Sequence, residues 1–396
     1  MDPLVSQAHG ARDGDAVALA FQRALLIAGA VAIPLMALWL GTEAALRQLG
    51  QDPEVARLAG VYMRARLPSA LGFLLFTAQR QYLAGRGITR PAMWVMLLGN
   101  VANALLDWML IFGRLGLPAL GIAGAGLATA LTNLMLPLGL FLWIRLGGLR
   151  EGAWRRWDRA VLEPAGLLRF LALGFPVGLQ LALEANAFTV AMLLVGSLGV
   201  APLAAHQIVM NMASFTFMFP LGIAIGASAR AGNLIGARDE DALRLACRVA
   251  LAMGGGVMTI AGLVFLIFRD TLPRLYVAEL EVVAIASSLL PIAGAFQIFD
   301  GIQVVGGGLM RGMGRPQAGA IANLLAFYLI GLPLAWALAF PGGLGVLGVW
   351  WGLAAGLLSV AVILSLWVVR TSRRPLAELS VLRADSGSVT APMAVS

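Results

Sequence analysis

Three acidic residues lie inside long apolar stretches of the sequence: Asp107, Glu184 and Asp300. A charged side chain is costly within the hydrocarbon of a membrane, so an ionisable residue in such a stretch is a functional candidate. A carboxylate withdrawn from water favours a bound proton, or a bound cation such as Na⁺. Moving one charge through a membrane potential of 100 mV releases about 2.3 kcal/mol. These acids could therefore bind an ion whose movement across the membrane drives the movement of another solute.

Amide and hydroxyl side chains recur at helical spacing in the same stretches. Residues three or four apart share one face of a helix, so each set predicts a polar stripe. The sets are Gln180 with Glu184; Gln297, Asp300 and Gln303; Gln207, Asn211 and Ser214; and Asn100, Asn103 and Asp107. We expect Glu184 and Asp300 to bind the ion, and Asp107 is a weaker candidate because it lies towards the outer end of its stretch. The alternative is that these groups only join helices by hydrogen bonds.

The composition indicates a membrane protein. Of the 396 residues, 60% are hydrophobic and only 12% are charged, whereas soluble domains carry about 25% charged residues. The net charge of +8 comes from arginine alone. Because these arginines stand between apolar segments, they favour the positive-inside rule over nucleic-acid binding. The one cysteine, Cys247, allows no internal disulfide and suggests no metal or redox site. We expect neither a cofactor nor enzymatic activity.

Ten apolar segments have roughly the 20 residues that cross a bilayer. They lie near 17–40, 61–83, 92–113, 121–144, 170–195, 203–228, 246–267, 283–307, 318–340 and 345–369. Alternate connections hold 21 and seven arginines, which predicts a multi-pass membrane protein with both termini in the cytoplasm. The arginine- and tryptophan-rich residues 154–159 suit either an interfacial helix or a solvated basic loop.

An internal repeat divides the chain. Residues 10–25 and 236–251 share ten identities in sixteen positions. Both copies run in the same direction, and such parallel repeats occur in transporters. We expect an incomplete amino-terminal lobe at 1–146, a linker at 147–165, a complete six-helix lobe at 166–370 and a disordered cytoplasmic tail at 371–396. Two predicted spans precede the matching point in the second copy and none precedes it in the first. The repeat thus predicts that about two helices are missing from the amino-terminal lobe.

Several segments resemble one known family, the multidrug and toxic-compound extrusion (MATE) transporters, and its NorM-like branch in particular. The run L-A-A-H-Q-I-V-M-N-M from residue 203 resembles the family's eighth helix. G-F-P-V-G-L-Q-L-A-L-E, ending at Glu184, resembles the seventh, and F-Q-I-F-D-G-I-Q around Asp300 resembles the tenth. The resemblance implies two six-helix lobes that exchange Na⁺ or H⁺ for organic cations and drugs. It also implies that Glu184 and Asp300 bind the coupling ion, including Na⁺ if that is the ion. Asp107 is similar to an amino-lobe acid.

Three other functions stay open at this point. A lipid-linked-sugar flippase of the same superfamily would be expected to line its cavity with basic residues. A membrane-embedded transferase would need an acidic metal motif such as D-D-x-x-D, which does not occur. The chain could also be an inactive fragment that lacks two helices. We favour a monomeric antiporter whose partners are small organic cations and membrane lipids.

Overall fold

A computed structural model describes residues 1–149 and 154–382 of the chain. These residues form α-helices, short 3₁₀ turns and one π-helical segment, without a β-strand. The α-helices are α1 Asp2–Gly10, α2 Gly14–Leu40, α3 Thr42–Gln48, α4 Pro53–Ala65, α5 Ser69–Gly85, α6 Arg90–Phe112, α7 Ile122–Leu146, α8 Pro164–Gly196, α9 Val200–Gly236, α10 Glu240–Ile267, α11 Leu280–Gly312, α12 Gln317–Asn323, α13 Leu332–Ala339, α14 Val346–Thr371 and α15 Leu376–Leu379. The all-helical class predicted from the sequence is confirmed.

Nine helices among the described residues are long and apolar enough to cross a membrane. One of the nine is the composite of α12, the π-helical segment Leu324–Gly331 and α13. The span predicted near 61–83 is wrong as a single helix. Its residues belong to α4 and to the 17-residue α5, with a break at Arg66–Pro68. Proline disfavours helical backbone in the residue before it, which explains an interruption at this position.

The described chain forms two compact units. The first contains Asp13–Phe170, and the second combines Asp2–Arg12 with the chain from Leu171 onward. Helix α8 therefore begins in the first unit and continues into the second. Helix α1, which the sequence analysis placed with the amino-terminal lobe, belongs to the second unit by its contacts. The lobe boundaries predicted from the repeat otherwise stay predictions.

In the first unit, helix α7 packs against α4, α5 and α6. Glycine permits two of these contacts, since a Cβ on Gly72 would lie 2.1 Å from the carbonyl oxygen of Asn133. A Cβ on Gly124 would lie 2.4 Å from the carbonyl oxygen of Leu110. Small residues of this kind let helix backbones approach closely within a membrane, where dispersion contacts replace the hydrophobic effect.

The connection after α7 docks on α2. Residues 154–158 are not helical and lead into a 3₁₀ turn at Arg159–Leu162. Gln22 donates a hydrogen bond to the carbonyl oxygen of Arg155 at 2.8 Å, and Arg23 forms an ion pair with Glu163 at 2.9 Å. Of the two predicted alternatives, residues 154–159 thus form a loop rather than a helix, and it is anchored to α2. Residues 150–153 of the predicted linker lie outside the described residues.

In the second unit, α11 lies at the centre of the core and packs against α9, α10 and α14. The α10–α11 crossing is made by two glycine pairs: a Cβ on Gly301 would lie 2.5 Å from the carbonyl oxygen of Gly254, and one on Gly262 would lie 2.5 Å from that of Gly294. The close crossings fix the rotation of α11, and this rotation decides which face carries its polar residues.

The predicted repeat is visible in the backbone. Asp13 caps α2 and Asp239 caps α10, each accepting a hydrogen bond from the amide three residues later, at 2.9 and 3.0 Å. The preceding residues, Arg12 and Arg238, both have φ of 59°. Left-handed backbone is uncommon outside glycine, so its occurrence at both copies supports a true structural repeat.

A second matched pair opens the last long helix of each copy. Gly121 precedes α7 with φ 55° and ψ −127°, and Gly345 precedes α14 with φ 55° and ψ −133°. These angles are open only to glycine at low cost. Glycine therefore has the same conformational cause at Gly121 and at Gly345.

The carboxy-terminal segment is structured as far as it is described. Residues 376–379 form the short helix α15, and Leu379 is fully buried. The expectation of a disordered tail is therefore wrong for residues 371–382, while residues 383–396 lie outside the described residues. The tail is held by Gln7 of α1, whose amide donates to the carbonyl oxygens of Gly312 and Leu379, at 3.3 and 3.2 Å, and accepts from the backbone N–H of Val381 at 2.7 Å.

Candidate functional site

Helices α8 and α11 bring the two predicted acids together. The Gln303 Nε2 atom donates to Glu184 Oε1 at 3.0 Å and lies 3.5 Å from Asp300 Oδ1. Asp300 and Gln303 are nearly or fully buried, with exposed fractions of 5% and 1%. One amide therefore bridges two carboxylates of different helices. The sequence predicted these residues as members of two separate polar stripes, and the contact between the stripes is a finding of the structure.

Asn323 completes the contacts of Glu184. Its Nδ2 atom donates to Glu184 Oε2 at 3.2 Å and to the main-chain carbonyl oxygen of Gln180 at 3.3 Å. Asn323 is fully buried at the end of α12. Both oxygens of Glu184 are thus held by neutral amides. We use the name carboxylate cluster for Gln180, Glu184, Asp300, Gln303 and Asn323.

Asn323 was missed in the sequence analysis. The signal was present, because it is a polar residue within the apolar run A-I-A-N-L-L-A-F. The π-helical segment after it could not be read from the periodicity. That segment carries Tyr328, whose hydroxyl donates to the carbonyl oxygen of Leu183 at 3.1 Å. Short π-helical insertions are rare and occur frequently at functional sites.

Gln180 lies over two glycines. A Cβ on Gly319 of α12 would stand 2.1 Å from Gln180 Oε1, and a Cβ on Gly307 of α11 would stand 3.1 Å from Gln180 Nε2. Any larger residue at position 319 would displace the glutamine. The same Gly307 position is 3.5 Å from an Arg311 guanidinium nitrogen, so a positive charge adjoins the cluster. Arg311 interacts electrostatically with Glu184, a contact that the sequence analysis did not anticipate.

Four amide oxygens on this side of α11 and its neighbours are buried and have no hydrogen-bond partner among the described residues. They belong to Gln180, Gln297, Gln303 and Asn323. Buried polar atoms are normally paired, so such a concentration asks for an explanation. Carboxylate and amide oxygens are the ligands that hard cations prefer.

The remaining predicted residues lie apart from the direct contacts of the cluster. Gln297 donates to the Thr216 hydroxyl and joins α11 to α9. Asn211 accepts a hydrogen bond from the Tyr276 hydroxyl at 2.9 Å, and its stripe is exposed. Asp107 belongs to α6 of the first unit, is half-buried and makes no ion pair with the described residues. The roles of all three in ion binding stay predictions.

The described residues contain no group of three or more histidine, cysteine or acidic side chains arranged to hold a metal ion. The arrangement of Glu184 and Asp300 is instead a two-acid site surrounded by amides. It can take up one positive charge, either as a proton or as a monovalent cation.

The fold and the site define a multi-pass membrane protein with a buried acidic site in its second helical unit. A family model described as MatE matches residues 1–109 and 176–337. The chain belongs to this family, a family of transporters, and the resemblance identified from the sequence is confirmed.

Relatives agree with this assignment. The chain is 36% identical to a multidrug resistance protein NorM of Burkholderia vietnamiensis over 91% of this chain and 79% of the relative. It is 32% identical to a NorM protein of Aliivibrio fischeri over 94% of this chain and 82% of the relative. Among solved structures, the eukaryotic MATE transporter AtDTX14 matches with a TM-score of 0.84 and 25% identity, over 96% of this chain and 85% of that chain.

Proposed function

We propose that the protein is a secondary active multidrug efflux antiporter, which exchanges inward-moving Na⁺ or H⁺ for outward-moving organic cations and drugs. The named relatives are multidrug resistance proteins, and this supports the substrate class. The observation that carries the ion coupling is the single Gln303 amide between Glu184 and Asp300. No other pair of acids in the described spans is bridged in this way.

The physical basis is electrostatic. Two ionised carboxylates in a site of low dielectric repel each other strongly, and the one Gln303 amide neutralises neither. Binding of a proton or of Na⁺ removes this repulsion, and the buried amide oxygens offer further ligands for Na⁺. An ion that enters from the outer side would therefore stabilise one packing of α8 against α11 and α12. Loss of the ion to the inner side would restore the repulsion and favour another packing.

The orientation of the chain is part of the proposal. The arginine-rich connections would lie in the cytoplasm together with both termini. The protein would act as a monomer in a bacterial-type plasma membrane, and membrane lipids would surround its apolar surface. It would need no cofactor beyond the coupling ion.

The test is efflux of a cationic dye from proteoliposomes under an imposed Na⁺ gradient or an imposed proton gradient. We expect Glu184→Gln to abolish gradient-driven efflux, because it removes one charge and keeps the shape of the side chain. A matched control is Glu281→Gln, which alters an exposed acid at the start of α11 and should leave efflux unchanged. The gradient that drives the wild-type protein identifies the ion. Full gradient-driven transport by Glu184→Gln would refute the coupling role.

A further inference from the structure

A cleft lined by arginine opens between α10 and α14, away from the carboxylate cluster. It is lined by Arg244 and Arg248 near the start of α10 and by Ser372 and Arg373 just after α14. The buried Cys247 also lines it. Three arginine side chains thus border one small space.

The positive charge of the cleft is only partly neutralised. Arg244 uses its terminal nitrogens for ion pairs with Glu240 at 2.9 Å and Asp241 at 3.3 Å, both on its own helix. Its Nε atom is buried and has no hydrogen-bond partner in the described chain. Arg248 and Arg373 are exposed and form no ion pair with any described acid. The cleft therefore offers donors and charge to an external anion.

Guanidinium groups suit a phosphate in particular. Their planar array of N–H donors matches phosphate oxygens in a bidentate geometry.

The surface beside the cleft is apolar, and this argues for a lipid rather than for a free anion. On α10, Leu245 and Val249 are exposed next to the two arginines, and Met253 continues the stripe one turn further. On α14, Val369 and Leu366 are exposed in the same way. The two stripes run from the cleft along helices that are long and apolar enough to span a membrane. An amphiphile could therefore lay its acyl chains along them while its headgroup occupies the cleft.

We propose that this arginine cleft binds the phosphate headgroup of an acidic phospholipid from the surrounding bilayer. The bound lipid would join the first turns of α10 to the last turn of α14 through charge-assisted hydrogen bonds. Basic sites between membrane helices at the cytoplasmic side are suited to such headgroups. The proposal does not depend on ion coupling at the carboxylate cluster.

Native mass spectrometry of the full chain in detergent tests this assignment. The probes are dioleoylphosphatidylglycerol, dioleoylphosphatidylcholine and inorganic phosphate, each titrated separately. We expect the wild-type protein to retain phosphatidylglycerol preferentially. The double variant R248Q/R373Q should bind it about thirtyfold more weakly, which corresponds to the loss of two arginines that each contribute about 1 kcal/mol.

A double variant of equal charge is the control. R238Q/R370Q alters two exposed arginines outside the cleft and should change the affinity by less than about twofold, as expected for screened surface charges. R248K/R373K keeps the charge but loses the bidentate geometry, so it should still weaken binding. It replaces R248Q/R373Q in the experiment if that variant fails to fold. Equal losses in R248Q/R373Q and R238Q/R370Q would overturn the proposal in favour of a diffuse basic surface. Binding of inorganic phosphate as tightly as the lipid would overturn it in favour of a free-anion site.

Discussion

Asn323 holds Glu184 in place through a hydrogen bond from a neutral side-chain amide. Its amide reaches the carboxylate of α8 and the backbone of Gln180 from the end of α12. A neutral donor orients the carboxylate but leaves its negative charge uncompensated, whereas a salt-bridge partner would compensate it. This makes Asn323 a positioning residue for the proposed ion site.

We predict that Asn323→Ala lowers gradient-driven efflux about tenfold, because a hydrogen bond to a charged group is worth about 1.5–3 kcal/mol. The measurement is dye efflux in proteoliposomes at saturating dye. Asn186→Ala is the matched control, since Asn186 lies exposed on α8 and its side chain bonds only to the carbonyl oxygen of Ala182. If both variants transport like the wild type, Asn323 has no part in coupling.

A different residue carries a pH-dependent contribution to stability. Glu43 of α3 accepts hydrogen bonds from Arg64 of α4 at 2.9 Å and from Arg47 of its own helix at 2.6 Å. The hydrogen bond from Arg64, aided by the charge of Arg47, lowers the pKa of Glu43 below its ordinary value of 4.5. A depressed pKa means stabilisation that is present above the ordinary pKa and is lost as the pH falls through the folded-state pKa.

Glu43→Gln should therefore lower the melting temperature slightly at neutral pH, and the difference from wild type should vanish in acid. Thermal denaturation in detergent across this pH range measures it. Arg64→Gln should reproduce the same profile, and high salt should shrink it, because exposed ion pairs are screened. A difference that is constant with pH would contradict this origin.

At the scale of elements, the strongest constraint is the backbone turn that begins α7 and α14. A Cβ on Gly345 would meet no atom within 4 Å, so the cost of a larger residue there comes from φ of 55° and not from crowding. The same holds for Gly121. A substitution at either position would therefore introduce backbone strain without steric crowding.

We predict that Gly345→Ala destabilises the protein by about 1–3 kcal/mol, the usual cost of a residue held in a sparsely populated backbone region. Gly256→Ala is the control, because Gly256 is helical and also has open space around its Cβ position. That change should be neutral or slightly stabilising. Thermal inactivation of the two variants side by side decides between them, and equal behaviour would remove strain as the explanation.

Much of the element pattern could be predicted from the sequence, and the failures have identifiable causes. Long apolar runs give most helices directly, since length and hydropathy alone decide whether a helix can span a bilayer. The break at Arg66–Pro68 was missed although the sequence signals it, because Arg64, Arg66 and Pro68 interrupt the apolar run of 61–83. Helical spacing predicted the two stripes that contain Glu184, Asp300 and Gln303, but not the contact between α8 and α11. Asn323 escaped because its partners lie about 140 residues earlier in the chain, and periodicity reports only on one helix at a time.

At the scale of the whole molecule, helix α1 and the carboxy-terminal segment meet at one buried glutamine. Gln7 is 0% exposed and makes three hydrogen bonds, to α11 and to the residues around α15. Its removal would leave those backbone groups without partners. The two ends of the described chain therefore stabilise each other.

Gln7→Ala should lower the free energy of unfolding by about 2–4 kcal/mol, given about 1 kcal/mol per hydrogen bond plus the penalty for buried unpaired groups. Chemical or thermal denaturation in detergent gives the difference. Gln51→Ala, at an exposed position outside the helices, should be neutral within about 0.5 kcal/mol. A neutral Gln7→Ala would show that the three hydrogen bonds of Gln7 do not stabilise this junction.

The packing of α1 on α9 also has a consequence for synthesis on the ribosome. Gly10 ends α1 and Gly236 ends α9, 226 residues later. At roughly 5–20 residues per second, α1 waits about 10–45 s before its packing partner is complete. Until the last turns of α9 have been made, the face of α1 that packs on Gly232 and Asn233 lacks its partner.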